Sequence, residues 1–226
     1  MLAAAAVLAC ALAVSGTFGP SSPVLAQGKL PAYRAQVHGE GKLLKGDGSA
    51  LGSVIAGGTF YQLGKAWRLD VLVKNGQLVE PTTIIFDPAG ATFYVLHPDT
   101  LTGTSYTQDE MKKRARNRLG ALDPVQSIAA ASDLAKRPGA TKLGKRTIAG
   151  LACEGYRLKS GDARVTLWMH EGLLIPVSME SRSGGGVLTF KATNVEAGAD
   201  VTEAQFKVPS DFTISKSSEG AAGKGK

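Results

Sequence analysis

SVIAGGTFYQLGKAWRLDVLV (residues 53–73), EPTTIIFDPAG (80–90) and ATFYVLH (91–97) form the stretch on which the fold turns. In the first, Trp67, Leu69, Val71 and Val73 fall on one side of an extended chain, and Ala66, Arg68, Asp70 and Leu72 on the other. That period of two is the mark of a half-buried strand. Ile84, Ile85 and Phe86, then Phe93, Tyr94, Val95 and Leu96, are apolar at successive positions, so these strands meet hydrophobic material on both faces. Turn signals at Asn75-Gly76, Pro88-Ala89-Gly90 and Pro98-Asp99 separate them. A sheet with two apolar faces needs a cover for the second: helices of the same chain, another sheet or an apolar ligand.

The 226-residue chain carries a formal charge of +7 and two cysteines. Residues 1–26 hold no charged side chain, an apolar run from Leu2 to Val14, and a small residue at Ala26 before the polar Gln27. The stretch reads as a secretory signal peptide cleaved after Ala26, and hence as a periplasmic protein. The apolar run is well short of the ~20 residues of a membrane-spanning helix. Cys10, in Val7-Leu8-Ala9-Cys10, sits in a loose lipid-attachment box, but cleavage there would leave too short a signal. Cys153 is then the one cysteine after residue 26, so export comes without an internal disulfide, and its apolar neighbours make it a buried small residue. The net positive charge favours anionic surfaces such as phospholipid head groups, while the spread of the basic residues argues against nucleic acid.

Outward from the central stretch, residues 30–45 read as a first strand, and Gly57-Gly58 as a bulge or bend in the second. A further short strand lies near Gly103 to Tyr106. Thr107-Gln-Asp-Glu110 is a capping-box pattern that opens a helix. Along it Met111, Ala115 and Leu119 form a thin apolar stripe amid Lys112, Lys113, Arg114, Arg116 and Arg118. Asp123-Pro124 starts a second helix, ended by Pro138-Gly139, whose apolar side can plug one open face of the sheet. From Thr141 short strands return, with turns at Gly150, 159–161, 171–172 and 183–186, as in an antiparallel meander. Val201 to Phe206 and Val208-Pro209 form a final docking segment, and residues 214–226 have the composition of a basic disordered tail. The expected fold is α+β and mainly antiparallel: an incomplete, half-open β-barrel of about ten strands with two or three helices in or over it, spanning residues 27–213.

No catalytic constellation stands out. His38, His97 and His170 are isolated in sequence and form no spaced metal set, His170-Glu171 reading as a solvent-facing pair in a turn. There is no nucleophile elbow, phosphate loop or dinucleotide fingerprint, so neither an enzyme nor a cofactor is implied. What remains is apolar surface. Phe60, Trp67, Phe86, Phe93, Trp168 and Phe190 lie on different strands, and a curved sheet can bring them to one concave side as core or as a lipid groove.

The order Gly58-Thr-Phe60, Gly64-Lys-Ala-Trp67-Arg68-Leu-Asp70, Thr83-Ile-Ile-Phe86-Asp87 and Phe93-Tyr-Val95 resembles the outer-membrane lipoprotein-sorting and carrier (LolA-like) superfamily. Ile148-Ala-Gly150-Leu-Ala-Cys153-Glu-Gly-Tyr156, Leu174-Ile-Pro176 and Phe206-Lys-Val208-Pro209 are similar to the second half of relatives of that group. The resemblance implies a half-barrel over helices with a hydrophobic cavity for acyl chains. In the carriers an arginine before a proline helps close that cavity; the matching stretch here reads Gln62-Leu63-Gly64.

The expectation is a periplasmic protein that holds the acyl chain of a lipid or lipoprotein. Its groove would be lined by Phe60, Trp67, Leu69, Val71, Ile84, Phe86, Phe93, Val95, Trp168 and Phe190, with Arg68, Lys112, Lys113 and Arg116 meeting a head group or anionic membrane surface. The alternative is an envelope scaffold that binds a protein partner and fills its groove with its own helices. These two differ in whether apolar volume is left unfilled.

Overall fold

The computed structural model describes residues 31–44, 49–110, 140–160 and 163–217. The central stretch forms β2 (Ala50–Leu63), β3 (Ala66–Asn75), β4 (Leu78–Asp87) and β5 (Thr92–His97), preceded by β1 (Ala32–Leu44) and followed by β6 (Thr102–Thr107). The second half supplies β7 (Thr141–Ile148), β8 (Leu151–Ser160), β9 (Ala163–His170), β10 (Ser178–Ser183), β11 (Gly186–Ala197) and β12 (Thr213–Lys216). All twelve join one sheet in the order β12-β6-β5-β4-β3-β2-β1-β11-β10-β9-β8-β7, antiparallel except where β12 runs parallel to β6. The about ten strands read from the sequence are thus twelve. No pairing joins β12 to β7 among the described residues, so the sheet is open.

Turn chemistry sets the hairpins. Gly76 at φ 63° closes β3–β4, and Ala149 and Gly150 at φ 49° and 79° close β7–β8. Asp87 accepts the Ala89 N–H at 2.9 Å in the β4–β5 turn, an aspartate bonding its own backbone two residues on. At the end of β6 the predicted capping box is present: Thr107 N–H donates to Glu110 Oε2 at 2.7 Å and Glu110 N–H to Thr107 Oγ1 at 3.2 Å. Both expected helices otherwise lie outside the described residues, as do Lys112, Lys113 and Arg116. The described part is almost all strand, with a 3-10 turn at Glu203–Phe206.

Three expectations are corrected. Gly57 and Gly58 do not mark a bulge, since β2 pairs with β3 from Val54↔Asn75 to Leu63↔Ala66 in one register. Gly58 instead permits a close approach, because a β-carbon there would stand 1.8 Å from the Asp70 carbonyl oxygen. Residues 214–216, assigned to the tail, belong to β12. Leu173 to Val177, read as the start of a strand, lie outside β10, which begins at Ser178.

The sheet bends back on itself. Tyr33 of β1 meets His170 of β9 edge to face with ring centroids 6.2 Å apart, although β11 and β10 stand between those strands. Apolar side chains from β2–β5 and from β9–β11 accordingly form one buried cluster on the concave face. The opposite face of β3–β6 has its own cover. Ile85 and Leu96 are fully buried there, and the docking segment from Val201 through the 3-10 turn to β12 packs over them. Arg68 Nη1 donates to the Gln205 carbonyl at 3.2 Å, and Gly103 leaves room for Ile214 beside Leu96.

Candidate functional site

Strand register assembles the concave face in rows. Ala35, Phe60, Leu69, Ile84 and Val95 are successive cross-strand partners from β1 to β5. The next row runs Tyr33, Gln62, Trp67, Phe86, Phe93 and Tyr106. Val71 pairs with Gly58 one row further on. From the other half, Phe190, Met179, Leu167 and Tyr156 form a row that joins β1 at Gly39. Nine of the ten groove candidates therefore share this face: Phe60, Trp67, Leu69, Val71, Ile84, Phe86, Phe93, Val95 and Phe190.

Trp168 is the exception. It stands in the row Ser178–Trp168–Gly155, one residue out of phase with Leu167, and packs against the buried cluster as a half-buried side chain rather than within it. It lies over Gly155, with the Arg146 guanidinium 3.8 Å from its ring centroid. Arg68 is the second correction. It alternates away from Trp67, pairs with Asp70 at 2.9 Å and faces the C-terminal segment, so it borders no concave groove.

The aromatic side chains form a contiguous nest. Trp67 lies 6.1 Å from Phe60, 6.2 Å from Phe86 and 6.0 Å from Phe93, and Phe86 and Phe93 stack at 4.7 Å. Trp67 is fully buried, and its indole Nε1 has no hydrogen-bond partner among the described residues. A buried donor left unmade costs about 1–3 kcal/mol.

Beside this nest the chain closes one end of the trough with its own backbone. Leu173, Leu174, Ile175 and Val177 are buried, and Gln62, itself buried, clamps the segment. Its Nε2 donates to the Gly172 carbonyl at 2.7 Å, and its Oε1 accepts the Leu174 N–H at 2.9 Å. Val177 ties the segment down by donating to the Trp168 carbonyl and accepting from the Ala192 N–H. Gln62 thus holds a plug. Sequence reasoning missed it, since its partners lie far along the chain and an isolated glutamine in a strand carries no such signal.

At the opposite margin the row Leu167–Tyr156–Lys142 runs out on the edge strand β7. Tyr156 Oη donates to Glu154 Oε2, and Lys142 Nζ pairs with Glu154 at 2.9 Å. Burial and the Glu154 bond push the Tyr156 hydroxyl up to about 12. The Tyr156 and Lys142 hydrogen bonds hold Glu154 below its ordinary range. This polar margin, with a cation at the end of an apolar row, also escaped the sequence.

Among the described residues the other titratable side chains are dispersed. Cys153 is buried and its thiol is pushed up by that burial, the opposite of a nucleophile's poise. His170, expected to face solvent, is half-buried against Tyr33, with Nδ1 2.9 Å from the Ala152 carbonyl oxygen. Among the described residues no cluster of His, Cys, Asp or Glu could hold a metal ion, and no helix is long and apolar enough to cross a membrane.

No family model matches the chain, and no curated protein matches it in sequence. Solved structures do. An uncharacterized conserved protein from Thermus thermophilus superposes with a TM-score of 0.49 at 14% identity, over 82% of this chain and 90% of that one. MucB in complex with MucA(peri) gives 0.42 at 14% identity, over 92% of this chain and 60% of MucB. A putative outer membrane lipoprotein-sorting protein domain from Vibrio parahaemolyticus gives 0.21 at 9% identity, over 80% and 91%. All three are likenesses at low sequence identity.

Proposed function

We propose that this is a periplasmic binding protein of the lipoprotein-sorting type, whose concave sheet face takes up the acyl chain of a lipid or lipoprotein. The observation that carries the reading is the unbroken apolar face from Phe60 to Val95, with an aromatic nest at one end. A buried acyl chain gains about 0.8 kcal/mol per methylene, and this face offers little else for a ligand to recognise. The reading is of a binding protein without enzymatic activity and without a cofactor.

A second reading has its own support. Phe60, Trp67, Leu69, Ile84, Phe86 and Phe93 are all covered, and the 173–177 segment already seats four apolar side chains at one end. On that view the core is self-filled and the protein is an envelope scaffold that binds a protein partner. Titration with a fluorescent fatty acid separates the two. Saturable uptake at one probe per chain, weakened several-fold by Ile84→Asp in a variant that still folds, supports acyl binding. Absence of uptake at every probe concentration overturns it in favour of the scaffold.

A further inference from the structure

We propose that the indole N–H of Trp67 is the hydrogen-bond donor for a neutral ester or amide carbonyl of the acyl ligand. This rests on the acyl-binding reading and names the part of the ligand that enters first. Buried tryptophans ordinarily find an acceptor for their N–H. Trp67 is fully buried and has none among the described residues. Its ring neighbours Phe60, Phe86 and Phe93 supply dispersion and no acceptor atom. A donor held open inside an apolar nest is what a ligand with one oxygen acceptor and an otherwise hydrocarbon body would complete.

The electrostatics choose between a carbonyl and a carboxylate. Among the described residues the buried polar side chains are Gln62, Thr82, Thr83 and Ser181, none of them charged. The cation nearest in sequence, Arg68, is on the opposite face and engaged by Asp70. A carboxylate at Trp67 would be a buried charge without a counter-ion, whereas a neutral carbonyl asks for a single N–H. Orientation follows from the same strand. From Trp67 the apolar positions continue through Leu69 and Val71 to Val73, about 20 Å of strand along which the acyl tail would lie.

Methyl laurate and tetradecane test the assignment, because they match in length and differ in the carbonyl. Affinities of both are measured by displacement of a fluorescent fatty acid from the wild-type chain and from Trp67→Phe, and the two indole N–H resonances are followed by NMR, assigned with Trp168→Phe. Trp67→Phe is expected to weaken methyl laurate about five- to ten-fold and tetradecane less than about two-fold. The Trp67 indole resonance should shift with methyl laurate and stay in place with tetradecane. Equal weakening of both probes, or an indole resonance indifferent to the carbonyl, overturns the donor role while leaving acyl binding intact. Failure of both probes to bind the wild-type chain removes the acyl reading and this inference with it. If Trp67→Phe does not fold, the wild-type resonances alone decide.

Discussion

Strands β2 to β5 and strands β7 to β9 follow the same two-residue alternation and end in opposite conditions. In the first group both faces carry buried side chains, Trp67, Leu69, Ile84 and Phe93 under the concave core and Ile85 and Leu96 under the C-terminal segment, while Leu72, Leu78 and Val79 stay exposed. In the second, Leu167 and Val165 are buried while β7 is largely exposed and Trp168 lies half-covered beneath Arg146. What differs is the cover. Apolar runs on successive positions require material on both sides, and in β4 and β5 the chain returns to provide it. The β7 edge instead carries Lys142, Lys145 and Arg146, with a register shift between Lys142 and Gly144, devices that keep an unpaired edge from recruiting another strand.

Truncation inside the first group should have the largest effect. Phe60→Ala removes a fully buried ring from the aromatic nest and should cost about 3–5 kcal/mol in urea unfolding, whereas a cost near zero would mean that the nest is not packed. Two glycines then set the groups against each other. Gly58→Ala would drive a β-carbon to 1.8 Å from the Asp70 backbone oxygen, which has nowhere to go, and should cost about 3 kcal/mol or more. Gly155→Ala meets the Trp168 ring at 2.5 Å, but that ring is half-exposed and can swing outward, so about 1 kcal/mol is expected. Equal costs would erase the distinction between the two groups.

Gln62→Leu probes the join between them. It leaves the buried Leu174 N–H and the Gly172 carbonyl without their partner and should cost about 2 kcal/mol. Faster amide exchange confined to residues 171–177 would confirm that Gln62 holds the plug, and unchanged exchange there would refute it. The smallest effect belongs to the polar margin. Tyr156, raised to about 12 chiefly by burial and then by Glu154, contributes stability that is complete below the ordinary tyrosine value and is lost as pH rises through about 12. In a spectrophotometric titration one tyrosine should therefore ionise late, and Glu154→Gln should bring it down part of the way. Glu154 works in the other direction: its contribution holds above its ordinary value and fades as pH falls through the lowered one, weakly because the pair is exposed.

Much of the first group was legible in the residues. The alternation of Trp67, Leu69, Val71 and Val73 names the concave face of β3, the apolar runs in β4 and β5 announce two-sided burial, and Thr107-Glu110 forms the capping box it spells. The second group was less so, for physical reasons. Alternation assigns faces within one strand, while the register against β8 and β10 decides how deep each side chain sits; Leu167 is core, and Trp168 beside it is half-buried against that core. The edge strand β12 buries little, so it leaves no apolar signature and was read as tail. The Gln62 clamp depends on a segment far away in the chain, which no local pattern encodes.

Native mass spectrometry of the chain purified from an exporting host, paired with lipid extraction, tests the central claim most directly. The account predicts acyl species bound at close to one per chain and lost in a folded Phe86→Asp variant. A clean ligand-free mass for the wild-type chain, together with no uptake of added acyl probe, would contradict it and identify the concave face as a self-filled core.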